Sequence, residues 1–332
     1  MLIRRQLKPR RGFTLTEVLI SVVILSIVSI AATGLFFAFT KHFEQSSDLT
    51  AARQRGEMAL SRLETAVLQA GLSMPNKTSD FEKVFVVGTS PKIDLITALR
   101  TATGSVWNEP VYLYGDKFSV TNADGSTEYF RKMGIVYCLG SGIGVLGKHG
   151  ADVNAEGVDL NAKDEPELEL STACPENQVR VATSPARTDG WVTFSGCQTP
   201  LAVTGINNTA DPPTLTVKSS RVDLIPFFAE LQYVRALCAY VVSPGGTSPH
   251  FYVEDVTRSP AQPVSEGVSQ VLFSFDDDSN VLTVHLLVRG NRKFPGEVTS
   301  GDVPGWPLTG TVTSEDRHYR LVAMSASWRV RN

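Results

Sequence analysis

The sequence predicts an α+β protein in which one long N-terminal helix, membrane-spanning and then amphipathic, packs on a mainly antiparallel β domain. Three observations carry this reading. Val18 to Thr40 runs for 23 residues without a charge. Apolar residues then recur every three or four positions as far as Ala70. Beyond Pro75 the apolar period falls to two, with Gly and Pro clusters between the runs. At 332 residues, 42% hydrophobic and 20% charged, the chain has a globular composition, unlike a disordered, collagen-like or polytopic membrane chain.

Charge is divided unevenly along it. The formal net charge is −3, from 31 Lys+Arg against 34 Asp+Glu, which argues against a nucleic-acid-binding surface. Arg4, Arg5, Lys8, Arg10 and Arg11 fall within the first 12 residues, where there is no acid; apart from these five, 26 positive side chains stand against 34 negative ones. Residues 1–12 therefore read as a basic leader ahead of an acidic protein.

At about 1.5 Å per residue the uncharged run makes a helix of roughly 34 Å, enough to cross a hydrocarbon core of about 30 Å. A helix also satisfies its own backbone in lipid. Basic residues before the run place the N-terminus in the cytoplasm and the bulk of the chain outside. A secretory signal would show a shorter apolar stretch ending at a small-x-small cleavage site; here the border reads Arg11-Gly12-Phe13-Thr14-Leu15-Thr16-Glu17. Glu17 stands out, because an acid at the edge of an apolar span is costly unless it is paired. A cut between Gly12 and Phe13 would create an α-amino group four residues away, one helical turn. The two charges would then neutralise each other within a chain or between packed chains.

The string RGFTLTEVLISVVIL resembles the prepilin signature of type IV pilins and type II secretion pseudopilins: a basic leader, Gly before the cut, Phe after it, and Glu as fifth residue of the mature chain. The resemblance implies cleavage after Gly12 by a prepilin peptidase, N-methylation of Phe13, and docking of Glu17 on a neighbouring subunit's amine. Residues 13–40 become the transmembrane and filament-core helix of a pilin-like fold. Major pilins commonly carry Gly and Pro where this chain has Ser26 and Gly34, so a weaker helix break is expected.

Residues 41–72 read as the amphipathic continuation. Leu49, Ala52, Gly56, Leu60, Leu63, Val67 and Ala70 make one face, with Arg53, Arg55, Glu57, Arg62, Glu64 and Gln69 between them. Gly71 is the stop signal and Pro75 lies just beyond. The stripe spans about three heptads, which favours a seat on a sheet over a coiled coil. As one helix, residues 14–70 would measure roughly 85 Å, half in lipid and half covered on one side by a globular domain.

Residues 75–332 then form an extracytoplasmic β-rich domain. Strand-like runs are Lys83–Val87, Ile93–Thr97, Val111–Tyr114, Thr127–Arg131, Ile135–Leu139, Gln178–Thr183, Trp191–Phe194, Thr214–Val217, Leu231–Val242 and Phe251–Glu254. The clearest alternations are Val271, Phe273, Phe275 and, later, Val322, Met324, Ala326, Trp328, Val330. No second helix of comparable periodicity is expected. Residues 140–178 and 289–319 look like long loops.

The segments AELQYVRALCAYVV, HFYVEDV and VSEGVSQVLFSFDDDSNVLTVHLLVRG resemble the closing β segment of PilW-type minor pilins and of the GspJ-type minor pseudopilin. With ALSRLETAVLQAGL in the helix, they favour a minor subunit over a major one; the middle of the chain matches neither. The resemblance implies a structural minor pilin of a type IV pilus, acting in pilus assembly and initiation and at the tip, with a type II secretion tip complex as the alternative. The partners it implies are other minor and major pilins or pseudopilins, prepilin peptidase and the inner-membrane assembly platform. It implies a single-pass inner-membrane location with the C-terminal domain in the periplasm, and later the pilus at the cell surface. No cofactor, nucleic acid or catalysis is implied.

Cys138, Cys174, Cys197 and Cys238 include no C-x-x-C pair, which argues against a four-ligand zinc site. An even count outside the cytoplasm reads as two disulfides. Cys174–Cys197 is the closest pair in sequence, and Cys138–Cys238 would join two strand-like runs; all three connectivities remain open.

Other motifs tempt without support. Gly142-Ile143-Gly144-Val145-Leu146-Gly147 fits G-x-G-x-x-G, and with Lys148 it approaches a phosphate loop. Both motifs need a helix to begin at the glycines, and the residues that follow have no apolar period. Asp152, Asn154, Glu156 and Gly157 imitate the opening of an EF-hand, but its closing acid would fall on Lys163; Asp152, Asp159 and Asp164 remain weak calcium candidates. Asp276-Asp277-Asp278-Ser279-Asn280 reads as a hairpin turn. The five histidines show no H-E-x-x-H spacing and G-x-S-x-G does not occur, so hydrolase chemistry has no motif here.

Overall fold

The computed structural model describes residues 14–75, 78–85, 95–104, 107, 109–122, 125–148, 157–160, 165–182, 188–243, 248–256 and 261–330. Its first element is α1 (Leu15–Leu68), a helix unbroken at Ser26 and Gly34. The chain divides into two compact units between Thr50 and Ala51.

In the first unit every described side chain as far as Ser47 is exposed. Among the described residues α1 is the one helix long and apolar enough to cross a membrane. Four of its hydroxyls are already satisfied. Ser21, Ser26, Thr33 and Thr40 each donate to the carbonyl four residues back, at 2.7–2.9 Å, so none of the four presents an unpaired donor to an apolar solvent.

The second unit begins with the last third of α1, whose face is small and apolar. Ala52, Ala59, Leu63, Ala66, Val67 and Ala70 are buried in one cluster with Met133, Ile135, Leu237, Val271, Phe273, Leu282, Val284 and Leu286. The expected seat on a sheet is therefore what forms. Gly56 lets the helix approach closely: a Cβ there would lie 2.3 Å from Met324 Sδ and 3.3 Å from Val288 Cγ2. Gly71, at φ 69, ends the run, and its N–H donates to Val136 O. An isolated bridge from Ala70 to Tyr137 also ties the helix end to the sheet.

In two of the strand-like runs the described residues prove helical. Of Lys83–Val87, residues 83–85 fall on α2 (Thr78–Phe85), and of Ile93–Thr97, residues 95–97 fall on α3 (Leu95–Thr103); the rest of both runs lies outside the described residues. Phe81, Val84 and Phe85 are spaced as on one helix face, as are Leu95, Ile96 and Leu99, and all six are buried with Trp107, Val136, Cys138, Trp191, Val234 and Cys238. Gly134 makes room for the indole of Trp107, whose Cη2 and Cζ2 stand 2.7 Å from where a Cβ would be.

The strands are β1 (Val111–Asn122), β2 (Gly125–Lys148), β3 (Gly157–Leu160), β4 (Glu167–Leu170), β5 (Trp191–Phe194), β6 (Leu201–Asn207), β7 (Thr214–Lys218), β8 (Asp223–Pro226), β9 (Glu230–Val242), β10 (His250–Asp255), β11 (Gln262–Glu266), β12 (Val268–Asp276), β13 (Val281–Arg289) and β14 (Leu321–Arg329). Their pairings close a ring: β2–β4, β4–β7, β7–β6, β6–β5, β5–β9 and β9–β2, all antiparallel. Alternate residues fill its interior, among them Ile143, Val145, Leu168, Leu170, Leu215, Val217, Leu201, Val203, Val192, Phe194 and Leu231. This is a small six-stranded barrel packed with side chains. From β9 the sheet runs outward to β10 and β11; from β2 it runs through β12 and β13 to β14. β1 pairs with β2, and β3 with β8 in a separate ribbon.

The two expected loops are only partly loops. Residues 140–148 belong to β2, and β3 and β4 lie within 140–178. Gln178–Thr183 forms no described strand, although Arg180 N donates to Asp189 O and Ala182 N to Val203 O. Residues 290–313 are irregular but packed: Val303, Trp306, Leu308 and Val312 are buried on Tyr129, Leu272 and Leu287. The segment ends in α4 (Ser314–Arg317), capped by Thr313. Arg289 Nε contacts Asp316 Oδ1 at 2.7 Å, with side chains 12% and 2% exposed.

Candidate functional site

Thr14 stands immediately before α1, and Glu17 is the third residue of its first turn. Thr14 Oγ1 accepts from Glu17 N at 3.3 Å, while Glu17 Oε2 accepts from Thr14 N at 2.9 Å and from its hydroxyl at 3.0 Å. This reciprocal pair is a capping box. It also places a carboxylate at the positive end of the helix.

Sequence reasoning singled out Glu17 as an acid in need of a partner and passed over Thr14. The Thr-x-x-Glu spacing was the available signal. The pairing uses one carboxylate oxygen: Oε2 takes both bonds from Thr14, and Oε1 accepts from no described residue. Glu17 is exposed on a helix whose neighbouring side chains are apolar and exposed. Such a group can accept a cationic hydrogen bond from outside while remaining a helix cap. Gly12 and Phe13, the expected cleavage pair, lie outside the described residues.

The expected disulfides do not form: all four cysteines are free and buried. For Cys138–Cys238 the register is the reason. Cys138 lies opposite Val234, and Cys238 opposite Gly134. Four residues of offset is about 13 Å along a strand, whereas bridged Cα atoms lie within about 7 Å. Each of these thiols has another partner, Cys138 donating to Leu72 O and Cys238 bonding the Tyr114 hydroxyl.

Cys174 and Cys197 share the barrel interior, unbridged, and each has its own hydrogen bonds. The backbone of Cys174 is clamped by Asn208, which accepts from its N–H and donates to its carbonyl. Cys197 donates to Thr199 O and lies 3.2 Å from Asp223 Oδ2. Burial pushes Cys138 and Cys197 up to about 12 and Cys174 and Cys238 up to about 11, so these thiols stay protonated and poorly nucleophilic near neutral pH.

The remaining candidates bring no site together. The glycine run of the supposed phosphate loop lies within β2, where Gly142 at φ 72 marks the register shift between Gly140 and Gly144; no helix starts there. Asp159 sits on β3 opposite Leu224, and Asp152 and Asp164 lie outside the described residues. Among the described residues no three His, Cys, Asp or Glu side chains group to hold a metal ion. Asp276–Asn280 is the turn joining β12 to β13, with Asp276 accepting from Asp278 N and from the Ser279 hydroxyl.

The chain matches the prokaryotic N-terminal methylation motif over residues 7–33. No characterised protein and no solved structure matches it significantly. It therefore carries a prepilin-type N-terminus ahead of a β domain, an arrangement consistent with the broader pilin-like family, whose members are structural and non-catalytic.

Proposed function

We propose that this chain is a minor pilin subunit of a type IV pilus, acting structurally in pilus assembly and initiation and at the tip. A prepilin peptidase cuts after Gly12, and Phe13 becomes the N-methylated first residue. The leader stays on the cytoplasmic side and the β domain is periplasmic until the subunit leaves the membrane. Exposed apolar side chains from Val18 to Phe39 then pack against other pilin stems, and Glu17 receives a neighbour's terminal amine.

The observation that supports this reading best is the carboxylate of Glu17, exposed at the head of an apolar helix, whose Oε1 accepts from no described residue. N-terminal sequencing with mass analysis of the chain from its native cells should find Phe13 first, with one added methyl group. Glu17→Ala should leave cleavage and export intact and lower recovery in sheared fibres. A native chain beginning at Met1, or equal recovery of variant and parent, would overturn the proposal.

A further inference from the structure

The sheet has three outer strands, β1, β11 and β14, and two of them are guarded. β1 carries a register shift between Tyr114 and Lys117, with Asp116 and Lys117 at the break. β11 is five residues long, contains Pro263, and pairs with β10 across a shift. Bulges, charges, proline and shortness are the usual devices that stop a free edge from accepting another strand. β14 has no bulge and no proline, is nine residues long, and carries a charge only at its last residue, Arg329. Its register with β13 runs from Leu321↔Arg289 to Arg329↔Val281 without a shift, and no residue from Leu321 to Trp328 is charged or proline.

The hydrogen bonds at the two ends of the β13–β14 ladder fix which backbone groups face outward. Gly290 N donates to Arg320 O and Val330 N to Asn280 O, so in the alternating antiparallel ladder the even-numbered residues of β14 bond β13. Arg289 N, donating to Gly267 O on the opposite side, gives the same phase for β13. The N–H and C=O groups of Leu321, Ala323, Ser325, Ser327 and Arg329 therefore point away from the sheet. Among the described residues none of them has a backbone partner.

We infer that the outer edge of β14 is a docking strand for an extended segment of a partner protein, which adds to the sheet by main-chain hydrogen bonds. The flanking side chains specify its chemistry. On one face the newcomer lies beside Val322, Met324, Ala326 and Trp328, all half-buried apolar groups; on the other it meets Ala323, Ser325 and Ser327. The single charge on the strand is Arg329. The occupant is thus a strand alternating apolar with small polar residues and carrying an acid where it meets Arg329. This inference rests on the sheet alone and stands whether or not the subunit enters a pilus.

A synthetic nonapeptide of alternating Val and Ser with a terminal Glu, labelled for fluorescence anisotropy, tests it on the full chain in detergent. Saturable binding is expected. Ser325→Pro removes an outward N–H and leaves the β13 bonds in place, and should weaken binding at least about tenfold, the loss of one ordered hydrogen bond and its register. Ser325→Lys keeps the backbone intact and should favour a peptide with Glu facing position 325 over one with Lys there by about threefold. No binding up to about 1 mM, against the micromolar scale of specific peptide docking, overturns the inference. So does a proline variant that folds and binds like the parent, or a lysine variant with no charge preference. Spontaneous disulfide dimers of Ser325→Cys would overturn it in another way, by making a second copy the occupant.

Discussion

Gly56→Ala tests how closely α1 seats on the sheet. The new Cβ would lie 2.3 Å from Met324 Sδ and 3.3 Å from Val288 Cγ2, whereas carbon and sulfur atoms in contact sit nearer 4 Å. Relief needs a shift of more than 1 Å from a thioether already packed in the apolar cluster beneath the helix. Overpacking of this kind costs roughly 1–3 kcal/mol. Against it stands the helix-propensity gain of Ala over Gly, about 1 kcal/mol. The single variant should therefore be destabilised by about 1 kcal/mol. In a Met324→Ala background the 2.3 Å clash is gone, only the lesser 3.3 Å approach to Val288 Cγ2 persists, and the propensity gain remains, so the same substitution should stabilise by up to about 1 kcal/mol. The coupling of about 2 kcal/mol is typical of residues in contact. In a domain of this size it appears as a Tm shift of about 2 °C downward in one background and upward in the other. Thermal unfolding of the full chain in mild detergent, followed by near-UV circular dichroism, measures both. Equal shifts in the two backgrounds, within about 0.5 kcal/mol, would refute the close approach.

Two further outcomes follow from buried polar groups. Asp316→Ala takes the contacting carboxylate from Arg289, whose side chain is 12% exposed, and leaves it the Tyr319 ring at 4.8 Å and the more distant charge of Glu315. It also removes the α4 capping box. A loss of about 3–5 kcal/mol is expected, read as a lower denaturant midpoint, and a surface-like effect below about 0.5 kcal/mol would contradict the buried geometry. His285 lies on β13 against the edge of Tyr129, where burial lowers its pKa. As pH falls through about 6.5, the unfolded chain takes up this proton before the folded one. Stability should therefore decline from neutral pH toward acid until the folded histidine also protonates. His285→Gln should flatten that part of the Tm–pH curve; curves that stay parallel would remove His285 as a source.

The fold was legible where one period ran long enough to be unambiguous. The apolar span and the stripe from Ala52 to Ala70 gave α1, and alternation gave β9, β12 and β14. Short runs failed because four or five apolar residues fit a strand and a helix turn equally. Phe81, Val84 and Phe85 are helical for a reason that lies elsewhere in the chain, in the Trp107 and Trp191 surface they cover. Glycine misled in β2. Gly140, Gly142 and Gly144 suggested a loop, yet they lie in β2, where Gly142 takes φ 72 at a register shift and a Cβ at Gly140 would stand 2.7 Å from Glu230 Oε1. At the N-terminal site Glu17 was visible as a lone acid in an apolar border. Its bond to Thr14 was visible only as spacing, and the cysteine partners depended on a register that composition does not carry.

The ring formed by β2, β4, β7, β6, β5 and β9 has a consequence for how such a chain diversifies. A closed barrel has no lateral seam to defend, and among the described residues the cluster beneath α1 draws no member from residues 157–226. Drift in residues 157–226 is then buffered from the sheet face that covers Ala52 to Ala70. A lineage could remodel that lobe, its outline and its surface chemistry while the opening and closing stretches of the chain kept a shared ancestral look.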